Sequence, residues 1–505
     1  MSFIVKQRKN GKIYHYEATN YWDKEKKQSR QKRRYLGVED ENGEVKTPRK
    51  EIIIKRNQEY GVTYLLNALA EECKLKKVLK EIYPESYQDL LNLVFFKIST
   101  SSPYYLYKDW SESVYLPSGH GMTSQDASRF MIGIGDDEDR QTRFFRKWIS
   151  THKDTGGLIF DITSISSHSK LNSWVEWGYN RDGELLPQLN LGAIVAEDLG
   201  LPLAYRFCSG SIPDVITLKN TVIFSQDIGL KRVDFVLDRG FFSKKNIEEM
   251  DAENIGFTIP ISFSTTEAKK FLQEVKDTIE LPENALSHNK TLIHHQSKRI
   301  RIGNKEYDAH MFLNTARKQD SLSLFYERLF QVERDLEEIG EEEKIEKYFE
   351  EYNKSYKDFF IISDGEIKRN NETIKEHCLG MGKMILITSK ENQDPSRLLD
   401  IYVQKDVVEK CFDNMKNELD ENRLRVSTRE SFSGRLFVTF LSLILRMYLS
   451  TKSNKSGLSR DFAVPEIISK LKLIRKVQTQ NGFFISEISK KQRDIFQKLG
   501  VEVPS

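Results

Sequence analysis

Apolar positions along this chain change their rhythm twice in the first half. Between residues 3 and 37 polar and apolar residues alternate around "KNGK". That period of two predicts a small antiparallel sheet with Asn10-Gly11 in its first turn. From Gly61 to about Thr151 the period lengthens. "VTYLLNALAEECKLKKVLKEIY" is amphipathic at 3.6 residues per turn, and "TSQDASRFMIGIGDDEDRQTRFFRKWISTH" predicts two helices split near Gly135, opened by Thr123 or Ser124 as N-cap. At Gly156 the texture turns β again. "GGLIFDITSIS", "PQLNLGAIVAED" and "LPLAYRFCSG" predict three strands, the last two joined by the short turn "DLGLP". "IPDVITLKNTVIFSQ" predicts a helix, "RVDFVLDRGFFS" a fourth strand, "KKNIEEMDAEN" a helix beginning after Ser243, and "IGFTIPIS" a fifth strand. A three-strand meander followed by helix, strand, helix and strand predicts an α/β fold with a mixed five-stranded sheet and flanking helices.

The second half is less regular. Residues 263 to 383 are mostly polar, with the β-like "KRIRIGNKEYDAHMFL" and the acidic helical stretch "ERDLEEIGEEEKIEKYFEE", broken near Gly340. "GKMILITS" predicts a further strand. In the next helix, "YVQKDVVEKCFDNMK", heptad-like spacing puts Tyr402, Lys405, Glu409 and Lys416 on one face, beside an apolar stripe of Val407, Val408, Cys411, Phe412 and Met415. A single carboxylate between two cations is unusual beside a core seam and suits a site that holds a metal and a polyanion together. "LFVTFLSLIL", bracketed by Arg435 and Arg446, has about half the length needed to span a bilayer and predicts a buried helix; "PEIISKLKLIRKV" predicts another.

Charge changes this picture only locally. The net charge of +3 is nearly balanced, but "KEKKQSRQKRR", from Lys24 to Arg34, concentrates cations beside Tyr14, Tyr16, Tyr21 and Trp22. It is either a solvated face or a phosphate-binding surface, with Arg30, Lys32, Arg33 and Arg34 as candidate contacts. The four cysteines have no CxxC spacing, which argues against a zinc ribbon or a disulfide framework and for a reducing compartment. The adjacent His294 and His295 are poorly spaced for one metal ion, so a surface role is expected. No signal peptide precedes the basic start, and a cytoplasmic protein without membrane contact is expected.

Asp161 sits between Phe160 and Ile162 in an apolar strand, and Asp238 ends "VDFVLD". Buried carboxylates cost several kcal/mol unless paired or bound to a cation. Two on neighbouring strands, with a third on a packed helix, would form a two-metal site suited to in-line phosphoryl transfer, for which Mg²⁺ is the preferred ion.

In this order and on these elements, the motifs resemble the DDE transposases of the IS4 type, more specifically the IS1634-like branch, over nearly the whole chain. "FDITSIS" resembles the strand with the first catalytic aspartate, "VLDRGFFSKKN" the second-aspartate motif, and "YVQKDVVEKCFDNMK" the signature Y-x2-R-x3-E-x6-K. "KNGKIYHYEATNYW" and "KRRYLG" resemble the branch's N-terminal region. The resemblance implies an RNase H-like catalytic core, in which the first and fourth strands are neighbours, interrupted by a long insertion. It also implies Asp161, Asp238 and Glu409 as catalytic ligands of two Mg²⁺ ions (Mn²⁺ as substitute), with Tyr402, Lys405 and Lys416 on DNA phosphates. Arg239 positions the active-site loop or a phosphate, or serves only as a salt-bridge partner. Lys405 stands where the family usually has arginine, which keeps the charge but loses the bidentate fork. Relatives that stack a flipped base on an insertion tryptophan have no counterpart here, since Trp22, Trp110, Trp148, Trp174 and Trp177 all lie elsewhere. Tyr307, Phe312 and Tyr326 are the aromatic substitutes.

The expected organisation is a basic β-rich N-terminal DNA-binding region (1–60) and a helical DNA-binding or dimerisation region (61–153). The core follows in two parts (154–265 and 381–455) around a β-rich and acidic-helical insertion (266–380), with a helical tail (456–505). The expected activity is cleavage at the terminal inverted repeats of the protein's own element and joining of the 3′ hydroxyls to target DNA. A homodimer would hold the two ends, on the bacterial nucleoid when bound. An RNase H-like nuclease that cuts without joining, and a catalytically silent DNA-binding repressor, are the alternatives.

Overall fold

The structure is a computed structural model that describes residues 2–46, 53–152, 158–166, 175–177, 187–196, 200–209, 214–230, 234–288, 291–340, 342–363, 366–403, 405–419 and 428–505. The chain divides into two units, Met1–Gln58 with Arg475–Ser486, and Glu59–Ile474 with Glu487–Pro504; Ser505 is grouped with the first.

In the smaller unit, strands β1 (Ser2–Lys9), β2 (Lys12–Asp23), β3 (Gln28–Glu39) and β4 (Val45–Lys46) form an antiparallel sheet in that order. Asn10 and Gly11 take positive φ of 50° and 76°, which makes the tight turn between β1 and β2 the one that "NG" encodes. Strand β5 (Ile54–Glu59) joins a hairpin of Arg475–Thr479 and Gly482–Ile485 in a second sheet. This corrects the reading of 456–505 as a helical tail for the stretch Arg475–Ile485, which lies between the helices Val464–Leu471 and Lys490–Lys498. The helix expected from "PEIISKLKLIRKV" stops at Leu471, and the chain then alternates through "RKVQT" to a turn at Gly482, whose φ of 131° suits glycine.

The larger unit is built around a nine-stranded mixed sheet. Its strands are β6 (Leu158–Ser166), β7 (Gln188–Ala196), β8 (Leu201–Ser209), β9 (Asp234–Val236), β10 (Gly256–Ile261), β11 (Ala285–His288), β12 (Thr291–Ile302) and β13 (Lys305–Asn314). A small separate hairpin, β14 (Phe360–Ser363) with β15 (Glu366–Arg369), precedes the ninth, β16 (Lys383–Thr388). The order across the sheet is β11-β12-β13-β16-β10-β9-β6-β7-β8. The five expected strands stand together as β10-β9-β6-β7-β8, with β6 parallel to β9 and antiparallel to β7. Four more strands extend this sheet, where five were expected. β16 pairs with β10 on one side and β13 on the other, so the stretch of the expected insertion from Ala285 to Asn314 belongs to the central sheet. The physical reason is pairing: β16 completes the backbone hydrogen bonds on the open edge of β10, and the β12–β13 hairpin completes those on the far edge of β16.

The rest of that segment has its own core. Phe325, Leu329, Val332 and Leu336 of the helix Thr315–Ile339 pack with Phe349, Phe359, Phe360 and Ile374. Gly340, at φ 67°, ends that helix, and a second begins at Glu342.

Helices Ser124–Asp136 and Glu138–Thr151 are split as expected, and the Thr123 hydroxyl caps the first by accepting from the Asp126 N–H. Their partner is the helix Arg429–Lys455. It is long and apolar enough to cross a membrane, but 89% of its apolar window is buried inside the protein. It crosses the Ser124–Asp136 helix glycine against glycine. A Cβ on Gly434 would lie 1.7 Å from the Met131 carbonyl oxygen, and one on Gly135 would lie 1.8 Å from that of Glu430.

Candidate active site

β6 is buried along its whole length except at Asp161, which is partly exposed. Parallel pairing of Ile159 with Val236 sets the register with β9. Asp161 and Asp238 each lie two residues beyond that pair, so they stand level on neighbouring strands and point to one side. Asp238 is past the end of β9, but the backbone stays extended. The Leu237 N–H donates to the Thr258 carbonyl at 3.0 Å, and Asp238 has φ −80° and ψ 160°. Its carboxylate accepts from the Arg239 N–H at 2.7 Å and so opens the short turn Arg239–Phe241. The Asp161 carboxylate accepts from the Ile162 N–H at 2.9 Å.

The third carboxylate comes from a different part of the chain. Helical segments Pro395–Val403 and Lys405–Asp413 lie either side of Gln404, which is outside the described residues. Val408, Cys411, Phe412 and Met415 are buried, as the apolar stripe predicts. Cys411, Phe412 and Met415 pack with Leu191, Ala193, Tyr205, Leu436 and Phe440 around a small apolar cavity. This burial fixes the rotation of the helix and turns Lys405 and Glu409 toward Asp161 in β6 and Asp238 just past β9.

Lys405 occupies the centre of the cluster and is only 6% exposed. Its Nζ lies 3.0 Å from Asp238 Oδ1, 3.7 Å from Glu409 Oε1 and 4.0 Å from Asp161 Oδ2. Burial alone would lower the Lys405 pKa; the charge of Asp161, then the hydrogen bond and charge of Asp238, raise it above the ordinary lysine value instead. Burial likewise pushes the Asp238 carboxyl up, but the Lys405 hydrogen bond and charge and the Arg239 N–H outweigh it and hold the pKa below the usual range. All three carboxylates thus share one ammonium, leaving two formal negative charges on the cluster.

That surplus, with oxygen donors only, fits a hard divalent cation in donor type and charge. The spacing is that of an ammonium cluster: among the described residues no three acidic, imidazole or thiol groups are close enough to ligate one ion.

The other expected site residues are distributed unevenly. Tyr402 packs its ring against Ile293, Phe312, Leu386, Leu398 and Leu399, and burial raises its hydroxyl pKa. It remains within electrostatic reach of Asp238, Glu409 and Lys405. Arg239 is exposed beside Asp238. Lys416 is half-buried in the π-helical turn Asn414–Glu418. A π turn has a different rotation per residue, so the heptad spacing from Glu409 does not carry across it and no longer assigns Lys416 to the same face. Arg30, Lys32, Arg33 and Arg34 are exposed on β3, in the smaller unit.

Two further expectations change. His294 is buried, and His295 is paired Nε2 to Nδ1 with His310 at 3.0 Å, so neither has the surface role expected of the pair. The cross-strand register that joins His295 to His310 has no sequence signal. Tyr307 and Phe312 are buried in the sheet and Tyr326 packs against the separate core of the Phe325 helix, so these side chains are engaged in packing rather than presented for base stacking. Trp174 lies outside the described residues.

A family model described as a transposase DDE domain matches residues 152–445. No curated protein matches the sequence. A solved structure described as a cryo-EM structure of the piggyBac transposase synaptic complex with hairpin DNA is similar at a TM-score of 0.38 and 10% sequence identity, over 82% of this chain and 80% of that chain.

Proposed function

We propose, from the premise that this chain belongs to the transposase DDE domain family and is a DDE transposase, that it cuts and joins DNA at the ends of its own insertion sequence. The observation that carries this reading is the meeting of Asp161, Asp238 and Glu409, from three separate segments, around the Lys405 ammonium. The strand order β8-β7-β6-β9-β10 supports an RNase H-like core beneath them, and the wider resemblance supports the IS4 type and its IS1634-like branch.

In the first step a water oxygen attacks the phosphorus at each element end; the P–O3′ bond breaks and leaves a free 3′ hydroxyl. In the second step that hydroxyl attacks a target phosphorus, forming one P–O bond as the target P–O3′ bond breaks. Asp161, Asp238 and Glu409 would hold two Mg²⁺ ions, or Mn²⁺ in their place. Bound there, divalent ions supply activation of the attacking oxygen and charge stabilisation on the leaving one. The protein's own groups position the phosphate. Lys405 and Arg239 offer cations at the cluster, Tyr402 a hydroxyl beside it, and Lys416 a further cation on the next turn. The smaller unit and the helices up to Thr151 bind the terminal inverted repeats, and a homodimer holds the two ends together.

The test is incubation of the purified protein with a plasmid carrying the gene's native flanks, in Mg²⁺ or Mn²⁺ and in EDTA, beside Glu409→Gln. Metal-dependent nicks at the two flanking repeats, absent in the variant, together with joined products are expected. Specific binding to the flanks without cleavage by the wild type would overturn this reading in favour of a silent DNA-binding protein. Nicks without joined products would favour a nuclease.

A further inference from the structure

Among the described residues, β1 pairs with β2 as far as Ser2 opposite Thr19, and β4 pairs with β3 at Val38 and Glu39. Beyond Thr19, β2 and β3 continue as a two-stranded ribbon, with Asn20 opposite Gln31, Tyr21 opposite Arg30, Trp22 opposite Ser29 and Asp23 opposite Gln28. Among the described residues no further strand pairs with its edges. From Asn20 to Arg34 seven lysines and arginines stand against two carboxylates, and every residue except Asp23 is exposed, Trp22 at 62%. A narrow arm this cationic repels itself unless a polyanion lies against it.

Strand alternation sorts its side chains. One face carries Asn20 and Trp22 of β2 with Gln31 and Arg33 of β3. These polar groups form a chain: Arg33 Nε donates to Gln31 Oε1 at 2.5 Å, and Gln31 Nε2 donates to Asn20 Oδ1 at 3.2 Å. The other face carries Tyr21, Arg30 and Lys32, with Arg30 held 3.3 Å from Asp23. Two carboxamides and a guanidinium ordered on one face are the groups that read adenine and guanine edges, and the major groove is wide enough for a two-stranded ribbon. Lysines at the turn, with Arg30, Lys32 and Arg34 of β3, have the reach and charge for the phosphates on the groove walls.

We infer that the β2–β3 ribbon enters the major groove of duplex DNA with Asn20, Gln31 and Arg33 toward the bases. This deepens the proposed function and rests on duplex DNA as the partner. The test selects bound sequences from a duplex library with a randomised centre, using the full chain, Gln31→Ala/Arg33→Ala, and Lys24→Ala/Lys26→Ala. All these positions are exposed, and an unchanged melting midpoint confirms folding. The wild type is expected to enrich a motif. Gln31→Ala/Arg33→Ala is expected to lose discrimination by roughly tenfold or more at one or two positions of it. Lys24→Ala/Lys26→Ala is expected to keep the motif but bind all duplexes more weakly, with a shallower salt dependence. No enriched motif, or a motif unchanged in Gln31→Ala/Arg33→Ala, would overturn the inference. A motif that depends on the ribbon but is absent from the gene's flanks would uphold the inference and count against action on the protein's own element.

Discussion

Lys405 shows how one residue can hold a charged cluster together. Without its ammonium, the carboxylates of Asp161 in β6, Asp238 just past β9 and Glu409 lose the cation they share. Removing a nearly buried cation from among carboxylates is destabilising, although exposure of Asp238 and Glu409 screens much of the effect. Lys405→Met is expected to lose about 2 kcal/mol of unfolding free energy in EDTA. It is expected to recover more on adding Mn²⁺ than the wild type does, since its site has one more uncompensated negative charge. Urea denaturation with and without Mn²⁺ measures both; an equal loss in both conditions would count against a counter-ion role. The position of Lys405 was legible as a cation on the same helix face as Glu409. Its insertion among the carboxylates was not, because that depends on how far the helix sits from Asp161 and Asp238.

At the scale of elements, the β12–β13 hairpin carries a titratable pair close to the helix that leads into the site. Burial, then the neighbouring His310, pushes the His295 pKa down to about 4, and burial lowers His310 as well. Each ring therefore stays neutral in the folded protein at pH values where the unfolded chain takes up a proton. Stability is complete above the unfolded value of about 6.5 and is lost as pH falls toward the folded value. For a half-buried ring the loss is on the order of 1–2 kcal/mol after solvent screening. Urea midpoints at pH 7 and pH 5 are expected to differ in this direction, and His295→Gln, which keeps a hydrogen-bonding side chain, is expected to flatten the difference. A wild-type midpoint that holds steady would remove the pair as the cause. The helices and strands were mostly legible from period alone. The hairpin after Leu471 was missed because five residues are too few for alternation to outweigh an adjacent helical rhythm.

At the scale of the molecule, the nine-stranded sheet draws on residues from Leu158 to Thr388. Where β13 ends and β16 begins the two strands are adjacent: Leu313 pairs with Lys383, and the Asn314 N–H donates to the Gly382 carbonyl at 2.9 Å. Residues 315–381 leave and return at one point and enclose their own core. Replacing them with a short Asn-Gly turn is expected to preserve cooperative unfolding, whereas replacing 285–314 removes the neighbour of β16 and is expected to abolish it. Circular dichroism with urea titration of the two deletions distinguishes them, and loss of folding in both would contradict this division.

By itself the sequence determined most of the strands and helices, the three acidic residues as candidates, and the resemblance that joins them. Those follow from local period and residue type, which any window of the chain contains. Tertiary structure alone decided that β11 to β13 complete the central sheet, that His295 meets His310, and that Lys405 lies at the centre of the carboxylate cluster. Each of these depends on which distant segment supplies the missing hydrogen bonds or charge, and that is settled only when the strands pair and the helix packs.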